Sequence, residues 1–244
     1  MTKKWLAGIA AAALVVAPGV ALADTNGQVK VTVASLDAED DGNKESAIAL
    51  SGAVVTDLGS SGWRLQFNGV GASMDHSGHN DDFSQYEAHA TYDFGNFSLG
   101  GFTGHFMRTE DGYWEFGAEA GLTMGRFGVT ATAATLSSTT DGGEDGSNLG
   151  VNGAFAVTDN IRISAHGSWS DFGFDNEVDS YGLGANFALP NGMGIGVGWR
   201  TSDTPFDGQV DAIGVSFGWN FGEGEHGRIM PGAAGLVPDA IATQ

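Results

Sequence analysis

The stretch IRISAHGSWSDFGFD, residues 161–175, places Ile161, Ile163, Ala165, Gly167 and Trp169 on one parity and Arg162, Ser164, His166, Ser168 and Ser170 on the other. A period of two is the mark of a β-strand with one apolar and one polar face. Which face is wet decides the fold. A soluble strand buries its apolar side against a core, whereas a membrane barrel turns that side to lipid and the polar side to its lumen.

Working outward, the chain opens MTKKWLAGIAAAALVVAPGVALAD, with Lys3 and Lys4, a short apolar run broken by Pro18 and Gly19, and a small-residue site before Asp24. Residues 1–23 therefore read as a secretory signal peptide. No later run approaches the ~18 apolar residues of a membrane helix, so membrane residence of residues 24–221 has to be through strands. The chain has no cysteine, which excludes disulfides and thiolate chemistry. Its 40 glycines suit curved strands and a lumen lined by small residues. The net charge of −20 leaves no basic stripe for phosphates, so nucleic acid is excluded as a partner.

The alternation recurs, and strands are expected near 28–36, 46–57, 62–74, 84–94, 96–107, 112–124, 126–137, 147–157, 160–171, 179–189, 192–202 and 209–221. That is about twelve, an even number, as single-chain bacterial barrels require. The connections alternate between tight turns (DLGSSG, GN, GR, TDN, PNG) and longer polar loops near 37–45, 75–83, 108–111, 138–146, 171–179 and 203–211. The loops carry much of the acid, including Asp37, Glu39, Asp40, Asp41 and Glu45 in the first. Short periplasmic turns and long extracellular loops are what an outer-membrane barrel needs. Aromatics fall at both ends of the apolar face: Trp63, Phe97 and Phe127 at the turn end, and Tyr86, Trp114, Trp169, Tyr181 and Trp199 at the loop end. Two such rings fit the two membrane–water interfaces. The expected fold is an all-β transmembrane antiparallel up-and-down barrel over 24–221, with Ile161, Ile163 and Trp169 facing lipid.

The signal peptide, the paired segment YEAHATYDFGNFSLGGFTGHF (86–106) and the terminal GVSFGWNF (214–221) resemble the Gram-negative outer-membrane porins, especially the compact alphaproteobacterial type. Typical trimeric general porins are longer, with ~16 strands and an infolded constriction loop. The last strand resembles the aromatic-ended terminal strand that the insertion machinery of that family reads. Here residues 222–244, rich in Gly, Ala and Pro, follow Phe221 and read as a disordered extension or a partial plug.

Parity names the expected pore-lining residues: Lys30, Arg64, Gln66, Glu87, His89, Glu115, Glu119, Arg162, His166 and Arg200. Acids on neighbouring strands facing bases elsewhere on the ring would set a field across a pore. The expected function is a passive outer-membrane channel for small hydrophilic solutes or ions, mildly cation-preferring because the acidic loops concentrate cations. The alternatives are a filled structural or adhesion barrel, in which the inward charges pair, and a lipid A-modifying hydrolase built on the pair His166 and Ser168. By parity that pair points away from lipid, so no catalytic residue is assigned. Gly214-Val215-Ser216-Phe217-Gly218 matches a hydrolase elbow but lies within a strand. His76, His79, Asp81 and Asp82 could hold a transition metal, and residues 37–45 open like a calcium loop but meet Ile48 where glutamate belongs. No cofactor or dedicated metal site is expected. Rim carboxylates are instead expected to bind Ca²⁺ or Mg²⁺ loosely and bridge to lipopolysaccharide, with homo-oligomerisation left open.

Overall fold

The computed structural model describes residues 25–38, 44–76, 79–108, 111–140, 143–173, 177–204 and 208–222. The expected signal peptide 1–23 and tail residues 223–244 lie outside them. Twelve strands form one closed barrel: β1 (Thr25–Ala38), β2 (Lys44–Asp57), β3 (Trp63–His76), β4 (His79–Asp93), β5 (Phe97–Arg108), β6 (Asp111–Met124), β7 (Phe127–Ser138), β8 (Gly146–Ala156), β9 (Ile161–Asp171), β10 (Glu177–Ala188), β11 (Met193–Thr204) and β12 (Gly208–Phe221). Each strand pairs antiparallel with its neighbour in sequence, and β12 closes on β1 from Gly27↔Phe221 to Ala38↔Val210. Every strand thus has two partners, and the backbone leaves no open edge, which is the condition for crossing hydrocarbon with strands.

The turn end carries both β1's start and β12's end. Gly125, with φ of 58°, turns the chain at 125–126, and Asn191 and Gly192 take positive φ of 65° and 76° in the β10–β11 connection. At the other end the strands run further than side-chain polarity indicates. Most of the stretches 75–83, 108–111 and 203–211, expected as loops, continue the ladder, so the connections shrink to 77–78, 109–110 and 205–207. Polarity marks where the wall leaves hydrocarbon, whereas backbone pairing persists beyond it. The difference in length between loops and turns is accordingly smaller than the sequence pattern indicated.

The strands are steeply staggered. Partners of Asn152 in one direction run Thr130, Gly121, Ser98 and Asp93, and in the other His166, Gly182, Arg200, Ala212, Leu36 and Glu45. The two paths reach β3 at opposite ends, the shear that accompanies strand tilt in a closed barrel. The outer face is apolar and exposed: Val33 is 55% exposed, Phe116 55%, Leu183 58% and Ile213 65%. A soluble sandwich would bury these side chains; here they form the lipid-facing band.

Candidate functional site: the barrel lumen

Strand parity turns Gln66 and Asn68 of β3, Gln85, Glu87 and His89 of β4, and Glu115 and Glu119 of β6 inward, where all seven are buried. Between the acids, β5 offers Gly100, Phe102 and Gly104. A Cβ on Gly104 would lie 3.1 Å from Glu87 Cγ and 3.6 Å from Glu115 Oε2, so this glycine gives the two carboxylate arms room beside one another. Gln66 Nε2 donates to Asn68 Oδ1 at 2.8 Å, Asn68 Nδ2 donates to Glu87 Oε2 at 3.0 Å, and Gln85 Nε2 donates to Glu87 Oε1 at 2.9 Å. His89 has a carboxylate at each ring nitrogen: Nδ1 lies 3.1 Å from both oxygens of Glu119, and Nε2 3.2 Å from Glu87 Oε2. Its ring stacks on Phe102 with centroids 5.2 Å apart. Asn148 Nδ2 donates to Glu115 Oε1 at 3.3 Å. These acids are therefore covered by donors, as buried charges must be.

The bases occupy other strands. Arg64 Nε donates to Asp57 Oδ1 at 2.9 Å, and its Nη2 lies 3.9 Å from Asp93 Oδ2. Arg200 on β11 is buried and donates from Nε to Ser202 Oγ at 3.3 Å, while Ser202 and Ser180 share a hydrogen bond of 2.8 Å. Across the ladder Arg200 and His166 flank Gly182, and the missing side chain there leaves space for the imidazole. Acids on β4 and β6 thus sit on one side of the barrel, with Arg162 and Arg200 on the other. Below this level a cavity of about 700 Å³ fills the turn-end half of the barrel, with Lys30, Arg64, Asn68, Asn152, Arg162 and His166 among its walls.

The loop-end half is different, and the sequence reading missed it. Leu36, Ala47, Ala49, Val70, Ala72, Met74, Phe83, Val210 and Ala212 form a buried apolar cluster with Phe106 packed on it, all on the inward parity. Phe83 and Phe106 lie 4.8 Å apart, and Phe172, from beyond β9, packs on Phe106 and Tyr113 at 6.4 and 5.5 Å. The signal was present, since Phe83 shares the parity of Glu87 and His89, but a window centred on the strand's polar residues passes over it.

A family model described as Gram-negative porin matches residues 62–207. The chain belongs to the Gram-negative porin family. As a porin it is an outer-membrane channel for small solutes. Among solved structures, the barrel is similar to the KdgM porin (TM-score 0.58, 9% identity, 80% of this chain and 99% of that one). It is also similar to an outer-membrane channel from Pseudomonas putida F1 (TM-score 0.54, 14% identity, 84% and 100%) and to an anion-selective porin from Comamonas acidovorans (TM-score 0.50, 11% identity, 81% and 98%). At such identities the likeness is one of fold. No curated relative matches the sequence.

In this porin the eight aromatics expected at the interfaces, Trp63, Tyr86, Phe97, Trp114, Phe127, Trp169, Tyr181 and Trp199, are all exposed on the outer face. Trp169 Nε1 donates to Tyr181 Oη at 3.1 Å, which ties two of them together at the loop end. Phe94, Phe155, Phe187 and Trp219 join the turn-end ring, with Trp219 Nε1 donating to the carbonyl of Asn191 at 3.2 Å. His166 and Ser168 both face inward on β9; the buried Nε2 of His166 has no hydrogen-bond partner, and no carboxylate among the described residues orients its ring. Ser216 lies mid-strand in β12, not at a strand-to-helix turn. His76 and His79 pair across β3 and β4, the side chains of His76, His79 and Asp81 and residues 39–43 lie outside the described set, and no group of three potential metal ligands occurs among the described residues.

Proposed function

We propose that small hydrophilic solutes cross this porin by passive diffusion along the lumen, with no bond made or broken. The observation that carries the reading is the turn-end cavity, walled by polar and charged inward side chains inside a barrel whose outside is apolar. Lys30, Arg64, Arg162 and His166 line the entry on that side, and Gln66, Glu87, His89, Glu115, Glu119 and Arg200 shape the passage above it. Acids and Arg200 on opposing walls set a transverse field that orders water and disfavours apolar solutes. In the loop-end half the rings of Phe106, Tyr113 and Phe172 pack together on the inward side. The mild cation preference expected from the acidic loops gains no support from the cavity wall, where Lys30, Arg64, Arg126 and Arg162 outnumber Asp93 and Asp159.

Catalysis by His166 and Ser168 has no support in the geometry, because the histidine lacks an orienting acid and both residues face away from lipid. The rim carboxylates remain our proposed contacts to lipopolysaccharide through divalent cations. The packed loop-end interior favours a second reading, a filled structural barrel. Planar-bilayer recording of the folded protein separates the two: discrete conductance steps are expected of the channel, and their absence in a preparation shown to be folded would sink it in favour of the filled barrel.

A further inference from the structure

Gln66, Gln85, Glu87, His89, Glu115 and Glu119 belong to the buried polar cluster of β3, β4 and β6, and none of them lines the turn-end cavity. Asn68 belongs to both the cluster and the cavity wall. Register puts it there. Asn68 stands directly opposite Glu87 of β4 on one side and Ala53 of β2 on the other, and Ala53, with only a methyl group, is part of the cavity wall. The amide is held at both ends: Oδ1 accepts from Gln66 Nε2 at 2.8 Å, while Nδ2 donates to Glu87 Oε2 at 3.0 Å and lies 3.1 Å from His89 Nε2. Turned over, it would set its carbonyl oxygen against the Glu87 carboxylate and its own donors against those of Gln66. Behind it the carboxylate is engaged at both oxygens. Glu87 Oε2 faces Asn68 and, at 3.2 Å, His89 Nε2, while Oε1 accepts from Gln85 Nε2 at 2.9 Å.

We propose that Asn68 is a selectivity-determining residue of the channel: its amide is a cover that denies permeating cations a carboxylate ligand at Glu87. The inference rests on the channel reading and deepens it. A cation in a confined lumen gives up part of its hydration shell and favours a wall that offers charged oxygen in return, which is how carboxylates in a pore select cations. With Asn68 in place, the cavity meets a neutral amide at this point instead of the glutamate behind it. Alanine at the same position would open a route of one amide's width from the cavity to Glu87 Oε2. It would also release the lone pair that the Asn68 donor occupies, so that water and potassium reach the carboxylate. If Asn68 served packing alone, its loss would lower stability and leave selectivity where it was.

The test uses the full-length folded protein in planar bilayers, with a KCl gradient across the membrane. Asn68→Ala is expected to move the reversal potential toward potassium preference relative to the parent, with the potassium-to-chloride permeability ratio raised several-fold. Asn68→Ala combined with Glu87→Gln is expected to return the ratio to the parent's, because the uncovered group is then neutral. Asn68→Ser, which loses the reach of the amide but opens less space, is expected to shift the potential in the same direction by less, and it keeps the proposal testable if the alanine variant does not fold. A conducting Asn68→Ala or Asn68→Ser variant with the parent's reversal potential would overturn the proposal while leaving the channel standing. A shift that persists in the double variant would overturn it too, since the change would then come from lost packing and not from Glu87. No conductance from the folded parent would overturn the channel reading, and the role of Asn68 with it.

Discussion

His89 shows how closely single side chains are fitted inside this barrel. Carboxylates sit at both of its ring nitrogens and Phe102 lies against its face, so its removal would leave Glu87 and Glu119 buried with fewer donors. Breaking one partner out of a buried charged cluster costs about 3 kcal/mol. His89→Ala is therefore expected to lower the urea midpoint of the micelle-folded protein markedly, whereas Glu119→Gln, which keeps a polar group of the same size, is expected to lower it less. Equal midpoints for His89→Ala and the parent would show that the cluster is not holding the wall together. Strand parity alone brought Glu87, Glu115 and Glu119 to the interior, and that much was legible in the sequence. Their connection through His89 was not, because it depends on register between β4 and β6 and on the room that Gly104 leaves in the strand between them. The cover over Glu115 comes from Asn148 of β8, two strands beyond β6, a contact that local pattern cannot specify.

At the scale of one strand, opposite faces of β8 should answer oppositely to the same substitution. Val151 is the central residue of Gly146–Ala156 and points outward at 41% exposure, while its neighbour Asn152 lines the cavity. An arginine on the lipid face near the bilayer midplane costs about 2–4 kcal/mol. Val151→Arg is expected to reduce the folded fraction, read as the band that shifts on heating in gel electrophoresis, while Asn152→Arg is expected to fold normally and to increase chloride preference. The reverse order of stability would mean that the faces of the barrel are inverted. Alternation of this kind located all twelve strands, because side-chain period survives any tilt or shear. Strand ends were less legible at the loop side. Pairs such as Asp75↔Asn80 and Asp179↔Asp203 are polar in side chain yet continue the ladder, since pairing there needs only backbone groups and no hydrocarbon. The apolar interior around Phe83 and Met74 was hidden by the same rule that revealed the strands: a greasy residue on the wet parity reads as an exception until neighbours on β1, β2 and β12 are seen to bring Leu36, Ala47 and Val210 to the same patch.

For the molecule as a whole, the decisive contact is the seam between the first and last strands. It runs from Gly27↔Phe221 to Ala38↔Val210, so twelve strands are sealed before residues 223–244 begin. Within the seam, the ring of Phe221 lies over Gly27, a position where any Cβ would collide with it. Every backbone pair that closes the cylinder is thus supplied by residues up to Phe221, and an aromatic residue marks the end of the seam. Truncation after Gly222 is expected to yield a barrel that inserts into the outer membrane, shifts on heating and conducts as the full chain does. Truncation after Val215 removes Phe217, Trp219 and Phe221 together with their partners' pairing on β1 and β11, and unpaired backbone in hydrocarbon costs several kcal/mol per group. That shorter chain is expected to be absent from the outer-membrane fraction. Recovery of a heat-shifting barrel from it, or its loss from the chain ending at Gly222, would show that closure does not depend on this seam as described.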